Sequence, residues 1–204
     1  MFNAPWLVLV LIGALLAAYG LQTLIGPDAL AAQFGVSGEA LRAGRYGVLI
    51  SSLFLHQGWP HVLLNAVFAL AFATPVVRRM GPSAQASVLF IIFYLVCGMV
   101  SGAAFALNHW SDGEIAVGAS GALAGCMGAA SRLMGPGPGL ARFTSRPVLA
   151  MAASWAAING LFGLVLVGWT PGAGGAPIAW EAHLAGYAAG LVLIGPCLSL
   201  LGRV

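Results

Sequence analysis

The sequence contains no lysine and little charge of either sign. Charged residues make up 6% of its 204 positions and hydrophobic residues 60%, and the mean hydropathy is +0.96. Soluble domains carry roughly a quarter charged residues, so this composition excludes an ordinary soluble protein. It indicates that the lipid bilayer covers most of the surface, and we expect no nucleic-acid partner.

Cysteine is also scarce. Cys97, Cys126 and Cys197 all lie in apolar stretches, without a CxxC pair and without a histidine at ligand spacing. We interpret them as small core residues rather than as disulfides or metal ligands. The sequence therefore predicts no metal and no cofactor.

Long apolar runs dominate what is present. A helix needs roughly 20 mostly apolar residues to cross a bilayer, and six such segments occur, approximately at 5–25, 61–77, 86–107, 115–133, 147–168 and 182–201. The first connection, 26–60, is long and turn-rich. The sequence predicts an all-α membrane protein, a bundle of six transmembrane helices in a single domain over 1–204.

The few charges follow the order of the connections. All five acidic residues fall in the first, third and fifth connections, whereas six of the eight arginines lie in or beside the second and fourth connections or at the C-terminus. Because cytoplasmic loops carry an excess of basic residues, both termini are predicted to be cytoplasmic. All eight cationic residues are arginine, and with 29 Gly and many Ala this indicates a GC-rich bacterial genome, so we expect a bacterial inner membrane.

A small number of polar residues interrupt the apolar segments, where burial in a bilayer is costly. His61 and Asn65 stand four residues apart near the start of the second segment, so they share one helical face. Ser120 lies near the start of the fourth segment, and His183 opens the sixth. With the termini inside, every even-numbered helix begins at the outer face. The topology therefore predicts these four side chains at one depth.

A hydroxyl, two imidazoles and an amide at one depth are the groups that a serine protease requires. A serine hydroxyl is a weak nucleophile until a neutral imidazole accepts its proton, so Ser120 and His183 would have to lie within hydrogen-bond reach. Asn65, His61 and the free N–H groups at the helix start are candidate donors to an oxyanion. Small residues favour close helix packing, namely Gly121 and Gly125 on the fourth helix and Gly186 and Gly190 on the sixth.

Each polar residue alone also has a structural interpretation. A Gly-Ala-Ser-Gly run is most often a packing surface, His183 alone could be an interfacial histidine, and Asn65 could bond another helix. Asn159 is interpreted as an interhelical hydrogen-bonding group, and His109 as a loop residue. Glu181 is not favoured as a third catalytic group, because positions i and i+2 do not share a helix face. The sequence therefore predicts a dyad.

Three separated motifs resemble those of the rhomboid family of intramembrane serine proteases. Residues 56–65, HQGWPHVLLN, resemble the histidine-rich entry to the family's second helix. Residues 118–121, GASG, match its GxSG nucleophile motif, and residues 182–190, AHLAGYAAG, match its AHxxGxxxG pattern on the sixth helix. Their order and spacing agree with the family across nearly the whole chain.

The resemblance implies a serine endopeptidase in which Ser120 is the nucleophile and His183 the general base. Around this dyad it implies an oxyanion site of His61, Asn65 and the backbone N–H of Ser120, a turn shaped by Gly118, and a water-accessible cavity lined in part by His56. It implies transmembrane protein substrates cut near their outer end. The oligomeric state is not predicted.

The chain departs from the family pattern near the nucleophile. Many members place an aromatic residue four positions after the serine to pack on the catalytic histidine, and here that position is Ala124. Tyr187 is a candidate for this contact. Gly47, Val48 and Val77 also differ from residues common in the family. The alternative function is a catalytically inactive rhomboid-like protein that binds or escorts transmembrane helices. A small transporter would require an inverted repeat, which is not evident.

Overall fold

The computed structural model describes residues 4–135, 137, 139–169 and 177–203. The helices are α1 (Trp6–Ile25), α2 (Pro27–Phe34), α3 (Gly38–Arg42), α4 (Val48–Ser51), α5 (Trp59–Phe68), α6 (Thr74–Met80), α7 (Ala84–Asn108), α8 (Ser120–Arg132), α9 (Arg146–Gly160) and α10 (Trp180–Leu200). A 3₁₀ turn follows α4, one π-helical segment joins α5 to α6, and another extends α9 to Val165. Three short helices thus occupy the predicted turn-rich connection 26–60.

Five helical runs are long and apolar enough to cross a membrane: Trp6–Ile25, Trp59–Met80, Ala84–Asn108, Arg146–Val165 and Trp180–Leu200. Five of the six predicted segments coincide with them to within three residues at either end. Within the described ranges no strand forms, and β-pairing is limited to an isolated bridge between Val36 and Ala116. The prediction of an all-α, multi-pass membrane protein is confirmed.

The fourth predicted segment is where the structure departs from the expected six transmembrane helices. The helix begins at Ser120 rather than at position 115 and has 13 residues, which corresponds to about 20 Å, less than the roughly 30 Å of a hydrocarbon core. Every residue from Gly121 to Ser131 is buried. Because α8 is enclosed by protein instead of lipid, its length does not have to match the bilayer.

Glycines allow α8 and α10 to pack with their backbones in contact. A Cβ atom added at Gly186 would collide with the carbonyl oxygen of Gly121, and one at Gly190 would collide with that of Gly125. Gly128 faces the carbonyl oxygen of Tyr187 in the same way. The four glycines of the predicted packing faces thus lie at one contact, and the two helices that carry Ser120 and His183 are neighbours.

The connections between the membrane-spanning helices lie at the two ends of the bundle. His109 of the third connection pairs with Glu181 in the first turn of α10, and Arg42 lies 5.4 Å from the ring centroid of Trp110. At the other end, the guanidinium of Arg203 fills the space beside Gly81. The odd-numbered connections therefore meet at one end, and the second connection meets the C-terminus at the other.

Candidate active site

Ser120 and His183 are brought into hydrogen-bonding contact by the packing of α8 on α10. Ser120 is the first residue of α8, and His183 lies in the first turn of α10. The distance between Ser120 Oγ and His183 Nε2 is 2.8 Å, an ordinary hydrogen-bond length for these groups. The structure thus brings together the two side chains that the sequence analysis paired, and their catalytic roles stay a prediction.

Gly118 forms the turn that leads into α8. Its φ of +131° lies in a region that L-residues rarely adopt, and its N–H donates to the carbonyl of Ser52 over 2.9 Å. A Cβ at this position would lie 2.8 Å from Cε1 of His61 and 3.8 Å from Ser120 Oγ. Glycine is therefore required here both for the backbone and for the approach of the His61 ring.

His61 and Asn65 lie on α5 and face the same cavity as the dyad. The cavity has a volume of about 580 Å³, and its lining includes all four side chains. Asn65 is 3% exposed, and its Nδ2 has no hydrogen-bond partner among the described residues. A buried amide donor without a partner is costly to maintain, so it is free to bind a group that enters the cavity.

His56 lies behind His61 rather than beside the serine. Its ring is fully buried and meets the His61 ring edge-on, with 5.1 Å between centroids. Burial, assisted by the nearby His61, lowers the pKa of His56 to about 3, so the ring is neutral at physiological pH. The side-chain amide of Gln22 holds its backbone through two hydrogen bonds of 2.9 Å. Sequence analysis did not single out Gln22.

Two residues of α9 contact His183, and the sequence analysis assigned neither of them to the site. Asn159 Oδ1 lies 2.8 Å from His183 Nδ1, so the predicted interhelical hydrogen bond exists, and its partner is the candidate base. The Trp155 ring packs on the imidazole with 5.7 Å between centroids. Tyr187, the expected aromatic partner, instead donates its hydroxyl to Ser131. Trp155 and Ala124 belong to one buried cluster.

An ionic cluster lies at the rim of the cavity. His109, which follows the last residue of α7, contacts Asp112 over 2.7 Å and Glu181 over 2.6 Å. Partial burial favours the neutral ring, but the hydrogen bonds to the two carboxylates outweigh it and raise the pKa of His109. Glu181 is thus engaged with His109 and not with His183, as expected for a dyad. The predicted loop histidine links the third and fifth connections.

The arrangement can supply a hydroxyl, a base and a set of N–H donors to one reacting carbonyl. Across the residues that the structure describes, no group of three or more His, Cys, Asp and Glu side chains has the geometry of a metal site. The three cysteines are free and buried. The absence of a metal and of a cofactor stays a prediction.

Comparison with known proteins identifies the family. No curated protein matches the chain at a significant level. The family model of the Rhomboid domain matches residues 43–199, a range that includes the histidine-rich motif, the GxSG motif and most of α10. Because this match covers well over half of the sequence, the chain belongs to the rhomboid family.

Proposed function

We propose that the protein is an intramembrane serine endopeptidase that hydrolyses peptide bonds of transmembrane protein substrates. The observation that carries the proposal is the 2.8 Å contact between Ser120 Oγ and His183 Nε2 inside a cavity that is also lined by His61 and Asn65. If His183 had only a structural role, the unpaired amide donor of Asn65 in the same cavity would have no use. We further propose that both termini are cytoplasmic and that the cavity faces the outer side of a bacterial inner membrane.

The first half of the reaction forms an acyl-enzyme. His183 Nε2 accepts the hydroxyl proton as Ser120 Oγ attacks the scissile carbonyl carbon. The carbonyl oxygen becomes an oxyanion, which the backbone N–H of Ser120 and the side chains of Asn65 and His61 stabilise by hydrogen bonding. When the C–N bond breaks, His183 returns the proton to the leaving amine, and an ester on Ser120 remains.

The second half of the reaction requires water. A water molecule gives a proton to His183 Nε2 and attacks the ester carbon, the same donors hold the second oxyanion, and the proton returns to Ser120 Oγ as the acid product leaves. Hydrolysis within a membrane needs a polar cavity, because hydrocarbon excludes water. The rim formed by His109, Asp112 and Glu181 supplies such polarity.

The lining of the cavity supports a transmembrane substrate. Besides the polar groups it is lined by apolar side chains of α5 and α9, among them Leu64, Phe68 and Ile158. An apolar segment would bury its side chains against them, and its backbone would have to become extended to bring a carbonyl to Ser120. A water-soluble peptide without apolar residues would gain little from this surface.

Covalent labelling tests the proposed function directly. The detergent-purified full chain is expected to react with a fluorophosphonate or isocoumarin probe, whereas the Ser120→Ala and His183→Ala variants are expected to remain unlabelled, because an unactivated hydroxyl attacks slowly. If the wild type neither reacts with the probe nor cuts a model transmembrane substrate, the protein is an inactive relative that binds or escorts helices.

Asn65 provides a second test, of the oxyanion site. Asn65→Ala should lower kcat/KM for a model transmembrane substrate by about 10²- to 10³-fold, because it removes a donor aimed at charge that develops in the transition state. Leu63→Ala, on the exposed side of α5, is the matched control and should retain wild-type rates. An Asn65→Ala variant that folds and cleaves at the wild-type rate would remove Asn65 from the mechanism.

A further inference from the structure

We propose that Asn159 is a positioning residue that fixes the tautomer and the orientation of His183, so that three helices supply a Ser/His/Asn arrangement. This inference rests on the proposed function and extends it to a residue of α9. Asn159 is 1% exposed, and its side chain spans the gap between α9 and α10.

The hydrogen bonds of Asn159 determine which of its atoms faces the imidazole. Its Nδ2 donates to the carbonyl oxygen of Trp155 over 2.9 Å, and a carbonyl can only accept. The amide oxygen therefore points to His183 Nδ1, at 2.8 Å. An amide oxygen has no proton to give, so the proton of this contact must reside on Nδ1.

The position of that proton decides whether His183 can act as a base. A neutral imidazole that carries its proton on Nδ1 has a free lone pair on Nε2, the atom that lies 2.8 Å from Ser120 Oγ. The other tautomer would turn a donor toward the hydroxyl, and no proton could be accepted. In serine proteases a third residue fulfils this orienting task, and in one convergent group of cysteine proteases that residue is an asparagine.

Trp155 completes the support of the ring from the same helix. Trp155 and Asn159 are four residues apart and share one face of α9, and together with Val148 they are its buried residues. The Trp155 ring packs on one side of the imidazole, and its indole Nε1 contacts the His183 carbonyl at 3.4 Å. The imidazole is thus held by a tilted ring contact with Trp155 and by the Nδ1 hydrogen bond.

A charge introduced at position 159 should have a measurable effect on the protonation of His183. Trp155 and Asn159 of α9 and Ser120 of α8 are uncharged, and His61 of α5 is the ionisable side chain that interacts with His183 electrostatically. A carboxylate at position 159 would add a negative charge beside Nδ1. Such a charge favours the protonated imidazole and would move the acid limb of the pH–rate profile to higher pH.

The kinetic test compares three variants of the full chain in detergent. Asn159→Ala should lower kcat/KM by about 10- to 100-fold, less than the roughly 10⁴-fold caused by a wrong tautomer in an Asp-assisted enzyme. Asn159→Asp should restore most of the rate and shift the acid limb upward. Leu149→Ala, on the exposed side of α9, should behave as wild type. An Asn159→Ala enzyme with the wild-type rate and acid limb would overturn the proposal.

A spectroscopic test needs no activity and keeps the two proposals apart. Nitrogen chemical shifts of ¹⁵N-labelled histidine distinguish the two neutral tautomers, and the signal of His183 is assigned by its loss in His183→Ala. The wild type should carry the proton on Nδ1, even if no substrate is cut. A proton on Nε2 would overturn the role of Asn159. If the proton is on Nδ1 but Ser120 does not react with the fluorophosphonate probe, only the proposed function is overturned.

Discussion

Ser120→Ala and His183→Ala are each expected to lower kcat by about 10⁴-fold or more, and the double variant should be no slower than the worse single variant. The reason is that the hydroxyl and the imidazole act as one unit: without the base the nucleophile is not activated, and without the nucleophile the base has nothing to activate. Rates of cleavage of a model transmembrane substrate by the three purified variants measure this.

Comparing kcat of the single and double variants distinguishes a catalytic dyad from two residues that affect the rate independently. Effects on kcat of two residues that act independently add, whereas effects on kcat within a catalytic unit do not. Leu63→Ala gives a control, because this exposed side chain of α5 does not line the cavity. Additive losses in the double variant, or an activity that survives Ser120→Ala, would rule out acyl-enzyme formation on this serine.

Much of the fold followed from hydropathy, because a bilayer constrains helix length strongly. The depth argument predicted Ser120, His183, His61 and Asn65 at one depth, and the structure places all four in the lining of one cavity. Each of these residues lies near the start of an even-numbered predicted membrane segment, and the start of a segment fixes depth whatever the rotation of the helix about its axis. No knowledge of side-chain packing was needed.

Sequence reasoning missed two features. One depends on the rotation of α9 about its axis, and the other on the enclosure of α8 by the surrounding helices. The sequence predicted an interhelical hydrogen bond for Asn159 but did not identify His183 as its partner, because the rotation of this apolar helix is not evident from its hydropathy. The four-residue spacing from Trp155 is the available signal, since both side chains are buried on one face. The short length of α8 depends on the surrounding helices, which a local hydropathy pattern does not record.

Ala124 illustrates how a departure from the family pattern is accommodated. The position four residues after the serine is small and fully buried, and the Trp155 ring from α9 lies in the same cluster. A large side chain at position 124 would compete with Trp155 for that space. In this chain the aromatic contact to His183 is therefore made from α9 instead of α8.

The second large effect is expected at the contact between α8 and α10, where Gly190→Ala should destabilise the protein by about 3 kcal/mol or more, the upper range for an overpacked site. A Cβ atom there would collide with the Gly125 carbonyl oxygen, and backbone of a buried helix cannot move aside as a flexible side chain can. Thermal unfolding of the detergent-solubilised variant measures the loss.

Gly195→Ala is the matched control on the same helix. A Cβ atom at that position would meet Leu140 Cδ1 at 3.6 Å, an ordinary contact, and alanine favours a helix over glycine by about 1 kcal/mol. Its unfolding temperature should therefore equal or exceed that of the wild type. If both variants lost stability equally, the effect would belong to α10 in general and not to its contact with α8.

Gly190→Ala should also slow the reaction, by more than its loss of stability alone would cause. The glycine contacts set the separation of α8 and α10, and these two helices carry the two atoms that lie 2.8 Å apart. A displacement of about 1 Å in a reacting group can cost on the order of 10²-fold in rate. Well below its unfolding temperature, the Gly190→Ala variant should remain folded but react slowly with a fluorophosphonate. If it reacts at the wild-type rate, the contact between α8 and α10 does not set the geometry of the dyad.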